Sequence, residues 1–465
     1  MSRLADDRNW FTTREVAGLR LHVLTTRKFK VETARLALRL PLRREDVTAN
    51  ALVPFVLRRG TRQLPTLKAI ARHLEGLYGA RLGVDVSKIG GTQLVEIRGE
   101  AVADAYLPGH GPGTGQLEAL LRLIFEVLLE PAMADGQLVP QYVQQEKEIL
   151  RRRIEGVINN KRQYALHRLI EEMFAGEPFA LHRLGRLEDL PALDAAALFR
   201  HYRERILGFP ADLLVVNGAG ADSVAELTQR VLDALGYRPG AQERHEPAPA
   251  AARDGRGQDG TPKSAPPRVV TEAQDVRQGV LALGYRTPVR FDSPDYPAMV
   301  MYNGVLGGFP HSKLFTHVRE RNSLAYFVYS RLESSQGALI VSAGIDPGLR
   351  DKALAIIERQ IAAMRQGEME AGELEATRRA LIRRWRVSED EPNTLIDHYL
   401  SGLVNGRQRP FSELIADVRR IGADQIVAAA QTVTPDTFYF LTSNAAEARV
   451  AQGATVRQEG DASTL

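Results

Sequence analysis

The segment that most constrains this chain is one that cannot pack. From Arg238 to Arg268 it holds Pro-Gly-Ala-Gln, Glu-Pro-Ala-Pro-Ala-Ala-Ala and Gly-Arg-Gly-Gln-Asp-Gly-Thr-Pro. Dense Pro and Gly with few large apolar side chains cannot bury enough surface to offset the entropy of ordering. The segment therefore reads as a flexible tether. It divides the 465 residues into two parts, each long enough for its own core. The expected organisation is a first domain over 1–237, a linker over 238–268, a second domain over 269–446 and a disordered tail over 447–465.

The two parts run through one order of elements. In the first, Gly18 to Arg27 and Val31 to Leu42 alternate at period two, with Ala34, Leu36, Leu38 and Leu40 facing one way. A helix over Thr48 to Arg59 follows, with Thr48 or Asn50 as its cap. An amphipathic helix from Thr66 to Tyr78, a hairpin of Arg81 to Val86 with Thr92 to Gly99, and helices over Leu117 to Leu129, Val143 to Phe174 and Ala195 to Ile206 come next. Asp212 to Val216 is a closing strand. In the second part Gly279 to Tyr285 and Ala338 to Ala343 read as strands and Thr437 to Thr442 as the closing one. Between them lie helices at Tyr296 to Leu306, Gly348 to Met364, Glu373 to Trp385, Asn393 to Leu403 and Ala423 to Thr432. Repetition of the order implies duplication. The predicted class is α+β: two homologous α/β-sandwich domains, each a mostly antiparallel sheet with its helices on one face, joined by the flexible linker.

Composition narrows the function classes. Apolar residues make up 44% and charged residues 25% of the chain, as in a soluble globular protein. No apolar run approaches the roughly 20 residues of a membrane span, so no membrane partner is expected. Cysteine is absent, which excludes disulfides and thiolate ligands and fits the cytoplasm. A net charge of +4 is too small to indicate nucleic acid.

The most informative local pattern runs from Phe315 to Ser330. Phe315, Val318 and Arg319 share a helical face, and Ala325 to Ser330 alternate like a strand beyond a turn at Asn322-Ser323. Arg319 and Tyr326 thus stand on two arms of a helix-turn-strand unit. A guanidinium and a phenol aimed at one point can donate hydrogen bonds to a peptide carbonyl or a developing oxyanion. His311 and His317 flank the unit and read as surface or packing residues. Gly307-Gly308 reads as a turn, and Gly109 to Gly115 as a flexible insertion, because neither carries the remainder of a phosphate-binding motif.

Asn303-Gly-Val-Leu-Gly-Gly-Phe, Ser312-Lys-Leu-Phe and Val318-Arg-Glu-Arg-Asn-Ser-Leu-Ala-Tyr resemble the C-terminal half of the insulinase/pitrilysin metallopeptidases, which include the mitochondrial processing peptidases. In that family the matching Arg and Tyr help to hold and polarise the substrate carbonyl, which implies this role for Arg319 and Tyr326. Active members also carry His-x-x-Glu-His on the first helix after the opening strands. Two His one turn apart bind zinc, and the Glu activates water. The matching helix here reads Ala51-Leu-Val-Pro-Phe55. The first His position is Ala51, the Glu position Pro54 and the second His position Phe55, and none of these can bind a metal or move a proton. The family's later acidic ligand falls on Arg153, whose charge repels a cation. The longer spacing from Phe55 to Arg153 is assigned to the Gly109 to Gly115 insertion.

The resemblance implies a zinc-free subunit, inactive alone, in a metalloendopeptidase heterodimer. Its partner would be a His-x-x-Glu-His paralogue holding the zinc, and its substrate an unfolded peptide added as a strand to the Arg81 to Gly99 hairpin. The resemblance also admits a non-proteolytic scaffold, like the core subunits of respiratory complexes. A third possibility is an accessory protein, like bacterial relatives associated with modification of elongation factor P.

Overall fold

The computed structural model describes residues 10–108, 115–209, 211–237 and 266–443. Most of the linker, the core of the Gly109 to Gly115 insertion and the tail lie outside the described residues. The chain forms two compact units, and they differ from two contiguous halves in one respect. Residues 157–176 belong with the second unit and 388–410 with the first.

The first unit contains β1 (Thr12–Val16), β2 (Leu19–Thr25), β3 (Val31–Pro41), α1 (Val47–Leu57), α2 (Leu67–Gly76), β4 (Arg81–Ile89), β5 (Thr92–Val102) and α3 (Gly115–Leu129). A short hairpin of β6 (Met133–Ala134) and β7 (Gln137–Leu138) leads into α4 (Pro140–Asn159), and the helix after it, α5 (Lys161–Met173), belongs to the second unit. Then come α6 (Ala195–His201), β8 (Ala211–Asn217) and α7 (Ala221–Ala234). The second unit holds β9 (Arg268–Gln274), β10 (Gly279–Arg286), α8 (Tyr296–Asn303), β11 (Ala325–Glu333), β12 (Ala338–Ile345), α9 (Arg350–Arg365) and α10 (Ala371–Ser388). Helix α11 (Pro392–Val404) returns to the first unit before α12 (Phe411–Arg420), α13 (Ala423–Gln431) and β13 (Thr434–Ser443) complete the second.

The sheets confirm the duplication. Strand order is β1-β2-β8-β3-β5-β4 in one and β9-β13-β10-β12-β11 in the other, read from matching ends. Each has one parallel pair, β2 with β8 and β9 with β13, and is otherwise antiparallel. Strand β8, expected as a closing strand, is therefore central, and β1 is an addition to the first sheet. On β3 the apolar residues Leu36, Leu38 and Leu40 join the core under α1 and α3. The alternate residues Arg35 and Arg39 are also buried, and they meet α11. Arg35 donates to Glu96 at 3.1 Å, to Asn393 at 3.0 Å and to Asp397. In the second unit α5 packs on β10 and β13, the counterparts of β3 and β8. Each half thus lends the other's sheet one helix. Among the described residues no helix is long and apolar enough to cross a membrane.

A buried carboxyl outside this layer gives a pH test. Glu32 on β3 is 3% exposed, and its Oε2 has no hydrogen-bond partner among the described residues. Burial and the nearby Asp104 carboxylate push it up to about 7. The folded state therefore holds the proton more tightly than the unfolded chain. The resulting stability is complete below the unfolded value of 4.5 and is lost as pH rises through about 7. Glu32→Gln is expected to raise the denaturant midpoint at pH 8, with a gain that shrinks toward pH 5. A gain that is larger at pH 5 contradicts this account.

Candidate functional site

Helix α1 is buried on every side, mostly through apolar residues. Its cap is Asp46, not Thr48 or Asn50 as the sequence suggested. Both side chains have other partners: the Thr48 hydroxyl donates to Asp189 at 2.5 Å, and Asn50 joins Gln93 at 3.0 Å and His201 at 2.7 Å. Pro54 sits inside the helix, where its ring removes the amide that would bond to Asn50. Helix α4 runs antiparallel across α1. Arg59 donates to the buried Glu146 at 2.5 Å, and two turns further along α4 the Arg153 guanidinium lies 4.2 Å from the centre of the Phe55 ring. Phe55 and Arg153, two of the four positions matched to the metal site from the sequence, are therefore in contact. Ala51 is fully buried one turn before Phe55. A methyl, a ring and a guanidinium do not fit zinc, and no step through a metal follows from this chain. Among the described residues no cluster of three or more His, Cys, Asp or Glu is arranged to hold a metal ion.

The Arg319 and Tyr326 positions lie in the second unit. Helix α8 continues into a π-helical turn at Gly304–Gly308, and Phe315–Glu320 forms a second π-helical turn. Such turns mark many functional sites. Gly307 abuts β11, where an added Cβ would lie 2.6 Å from the Ser330 amide, and the Ser330 hydroxyl donates to the Asn303 side chain at 2.8 Å. The Asn303-to-Phe309 motif thus seats the helix end against the strand. The connection to β11 is tied by Leu324 N to Val318 O at 3.0 Å, with Ser323 at a φ of 49°, a costly conformation for a side-chain-bearing residue.

β11 is an edge strand of its sheet, and its register shifts between Ala325 and Phe327. Tyr326 is the extra residue of this bulge, a device that re-aims a side chain. Simple alternation, as read from the sequence, does not contain it. Tyr326 is 59% exposed, while Phe327 and Tyr329 lie under Arg162 of α5 at 4.4 and 4.5 Å. Gly344 makes room for the Phe327 ring, which a Cβ there would meet at 2.4 Å. Arg319 is exposed, with its guanidinium 4.8 Å from the Phe315 ring. Both predicted donors therefore face outward. His311 pairs with Thr377 at 3.2 Å. Burial, with Arg321 and Lys313 nearby, lowers the His317 pKa from the ordinary imidazole value.

Residues 194–381 match the family described as the peptidase M16 inactive domain. The chain is 31% identical over 424 residues to the probable inactive metalloprotease YmfF of Bacillus subtilis, covering 91% of this chain and 96% of that protein. The chain belongs to the M16, or insulinase/pitrilysin, family. It is an inactive metalloprotease-like member. It is also 26% identical over 274 residues to AlbE, an antilisterial bacteriocin subtilosin biosynthesis protein of B. subtilis, covering 56% of this chain and 65% of AlbE. A crystal structure of a conserved protein from Enterococcus faecalis superposes with a TM-score of 0.82 at 25% identity, covering 93% of this chain and 99% of that one.

The purified M16 chain is expected to retain less than stoichiometric zinc after chelator washing and to leave an unfolded peptide uncut. Elemental analysis giving one tightly held zinc per chain would overturn the reading of Ala51, Phe55 and Arg153.

Proposed function

We propose that this chain is the non-catalytic subunit of an insulinase-type zinc peptidase heterodimer, acting on unfolded peptide beside a His-x-x-Glu-His paralogue. The observation that carries this reading is the asymmetry between two sites. The metal positions are filled by Ala51, Pro54, Phe55 and Arg153, whereas Arg319 and Tyr326 persist, exposed, on a bulge and a π-helical turn. Loss of function without selection would not favour either set.

In the complex the partner supplies the metal and its water. This chain supplies donors: the Tyr326 hydroxyl and the Arg319 guanidinium donate to the scissile carbonyl oxygen as it gains negative charge. β4, at the end of the first sheet and among the described residues paired with β5 alone, offers an edge to an extended peptide, save at Val86, whose carbonyl accepts from Arg183 and whose amide donates to Asp85. The cysteine-free composition suits a cytoplasmic pair. A second reading, an accessory protein in peptide or protein maturation, draws on the likeness to AlbE, which is named for bacteriocin biosynthesis. It covers the elongation-factor modification role and a non-proteolytic scaffold alike.

Loss of one oxyanion donor costs on the order of 3 kcal/mol in a transition state, or about a hundredfold in rate. Tyr326→Phe removes only an exposed hydroxyl. Turnover by the reconstituted pair is expected to fall roughly tenfold or more, a cautious fraction of that donor effect, with complex formation and thermal stability unchanged. Tyr329→Phe keeps the ring under Arg162 and serves as the control. Equal effects from both substitutions make Tyr326 a structural residue, and no effect from either favours the accessory reading. Arg319→Ala is the less clean probe, since it also removes packing on Phe315.

A further inference from the structure

The lost metal site is not simply empty of function-bearing groups. Arg153 is exposed, yet its guanidinium has a fixed seat on the buried Phe55 ring. Its neighbours on α4, Arg151 and Arg152, both turn to Glu148, at 3.6 and 3.2 Å. Glu146 is taken by Arg59. Arg153 itself has no carboxylate partner among the described residues, and neither does Arg58, whose Nε is buried without a hydrogen bond. Phe55, Arg58 and Arg59 share one face of the α1 end at i, i+3, i+4 spacing. Arg59 and Arg153 against Glu146 leave a formal excess of +1 where α1 meets α4.

The place of this excess in the fold gives it a direction. α1 packs on β5 and on the edge strand β4. A peptide strand added to β4 therefore runs alongside α1. A planar guanidinium held against a ring is pre-organised to take a carboxylate with two parallel hydrogen bonds. The π-stack uses the flat face of Arg153 and leaves its donor edge available.

We propose that the former metal position is a carboxylate-binding site, in which Arg153 anchors an acidic side chain of an extended peptide bound along β4. The proposal rests on the peptide-binding part of the function above, but not on zinc or on a partner. The substrate class it selects is an unfolded segment carrying Asp or Glu, so the substitution that abolished the metal also changed specificity.

The test uses the isolated full chain and fluorescence anisotropy. Two labelled, C-terminally amidated, unstructured peptides differ only by one central Glu or Gln. The Glu peptide is expected to bind roughly tenfold more tightly at low salt, as a charge-assisted pair gives, with the margin narrowing as salt rises. Arg153→Gln should abolish the margin and Arg153→Lys should retain part of it. Arg151→Gln, which alters charge on the same helix, should leave it intact. Equal binding of the two peptides by the wild type overturns the proposal, as does a margin that survives Arg153→Gln or is lost equally in Arg151→Gln. Failure of both peptides to bind overturns it too, together with peptide capture by this chain. The turnover effect of Tyr326→Phe in the reconstituted pair is measured separately and stands or falls independently.

Discussion

Asp212 has no exposed surface, yet Arg39 donates to it at 2.8 Å, Arg20 at 3.1 Å, and the His22 ring lies 2.9 Å away. A buried carboxylate needs such partners, and removing one from a buried pair costs about 3–5 kcal/mol. The partners stand on β2 and β3, on the sheet face turned away from the apolar core. That face carries charge and cannot be left half wet. Helix α11 covers it, with the Tyr399 hydroxyl 3.1 Å from the His22 ring, its own ring stacked on Phe11 at 4.2 Å, and Asn393 and Asp397 on Arg35. The first unit is thus incomplete without a segment that follows most of the second. In the other sheet α5 does the corresponding work, its Tyr164 meeting Glu272 at 2.7 Å beside Tyr439. Each sheet is thus covered by a helix from the other half of the chain.

Much of this was legible in the sequence. Period-two alternation located β2 and β3, and the repeated order anticipated matching sheets. The exchange was not legible, because residues such as Asn393, Asp397 and Tyr399 look like an ordinary polar helix face until Arg35 and His22 are known to be buried opposite them. β1 was missed because Thr12 to Glu15 are exposed and lack an apolar stripe. Helices α7 and α12 carry a helical-spacing signal in Val224, Leu227 and Val231 and in Phe411, Leu414 and Val418. At the candidate sites, residue identity was readable and geometry was not. Nothing in Ala325-Tyr-Phe announces a bulge, and no spacing rule brings Arg153 onto Phe55 across nearly a hundred residues of chain.

The two sites illustrate one division. At the proposed metal positions α1 and α4 carry packing side chains and a cation, while the two proposed donors, Arg319 and Tyr326, lie exposed on a π-helical turn and on β11. The donors sit on local irregularities, a bulge, π-helical turns and Ser323 in the left-handed region, and surrounding contacts hold these in place. Such features cost stability and are retained where they position a side chain.

The central claim is that this chain completes a peptidase whose metal lies elsewhere. Native mass spectrometry of the chain mixed with a His-x-x-Glu-His paralogue from the same organism tests it most directly. The account predicts a complex with one copy of each subunit and a single zinc. Two non-interacting species, or a complex in which this chain carries the zinc, would contradict it.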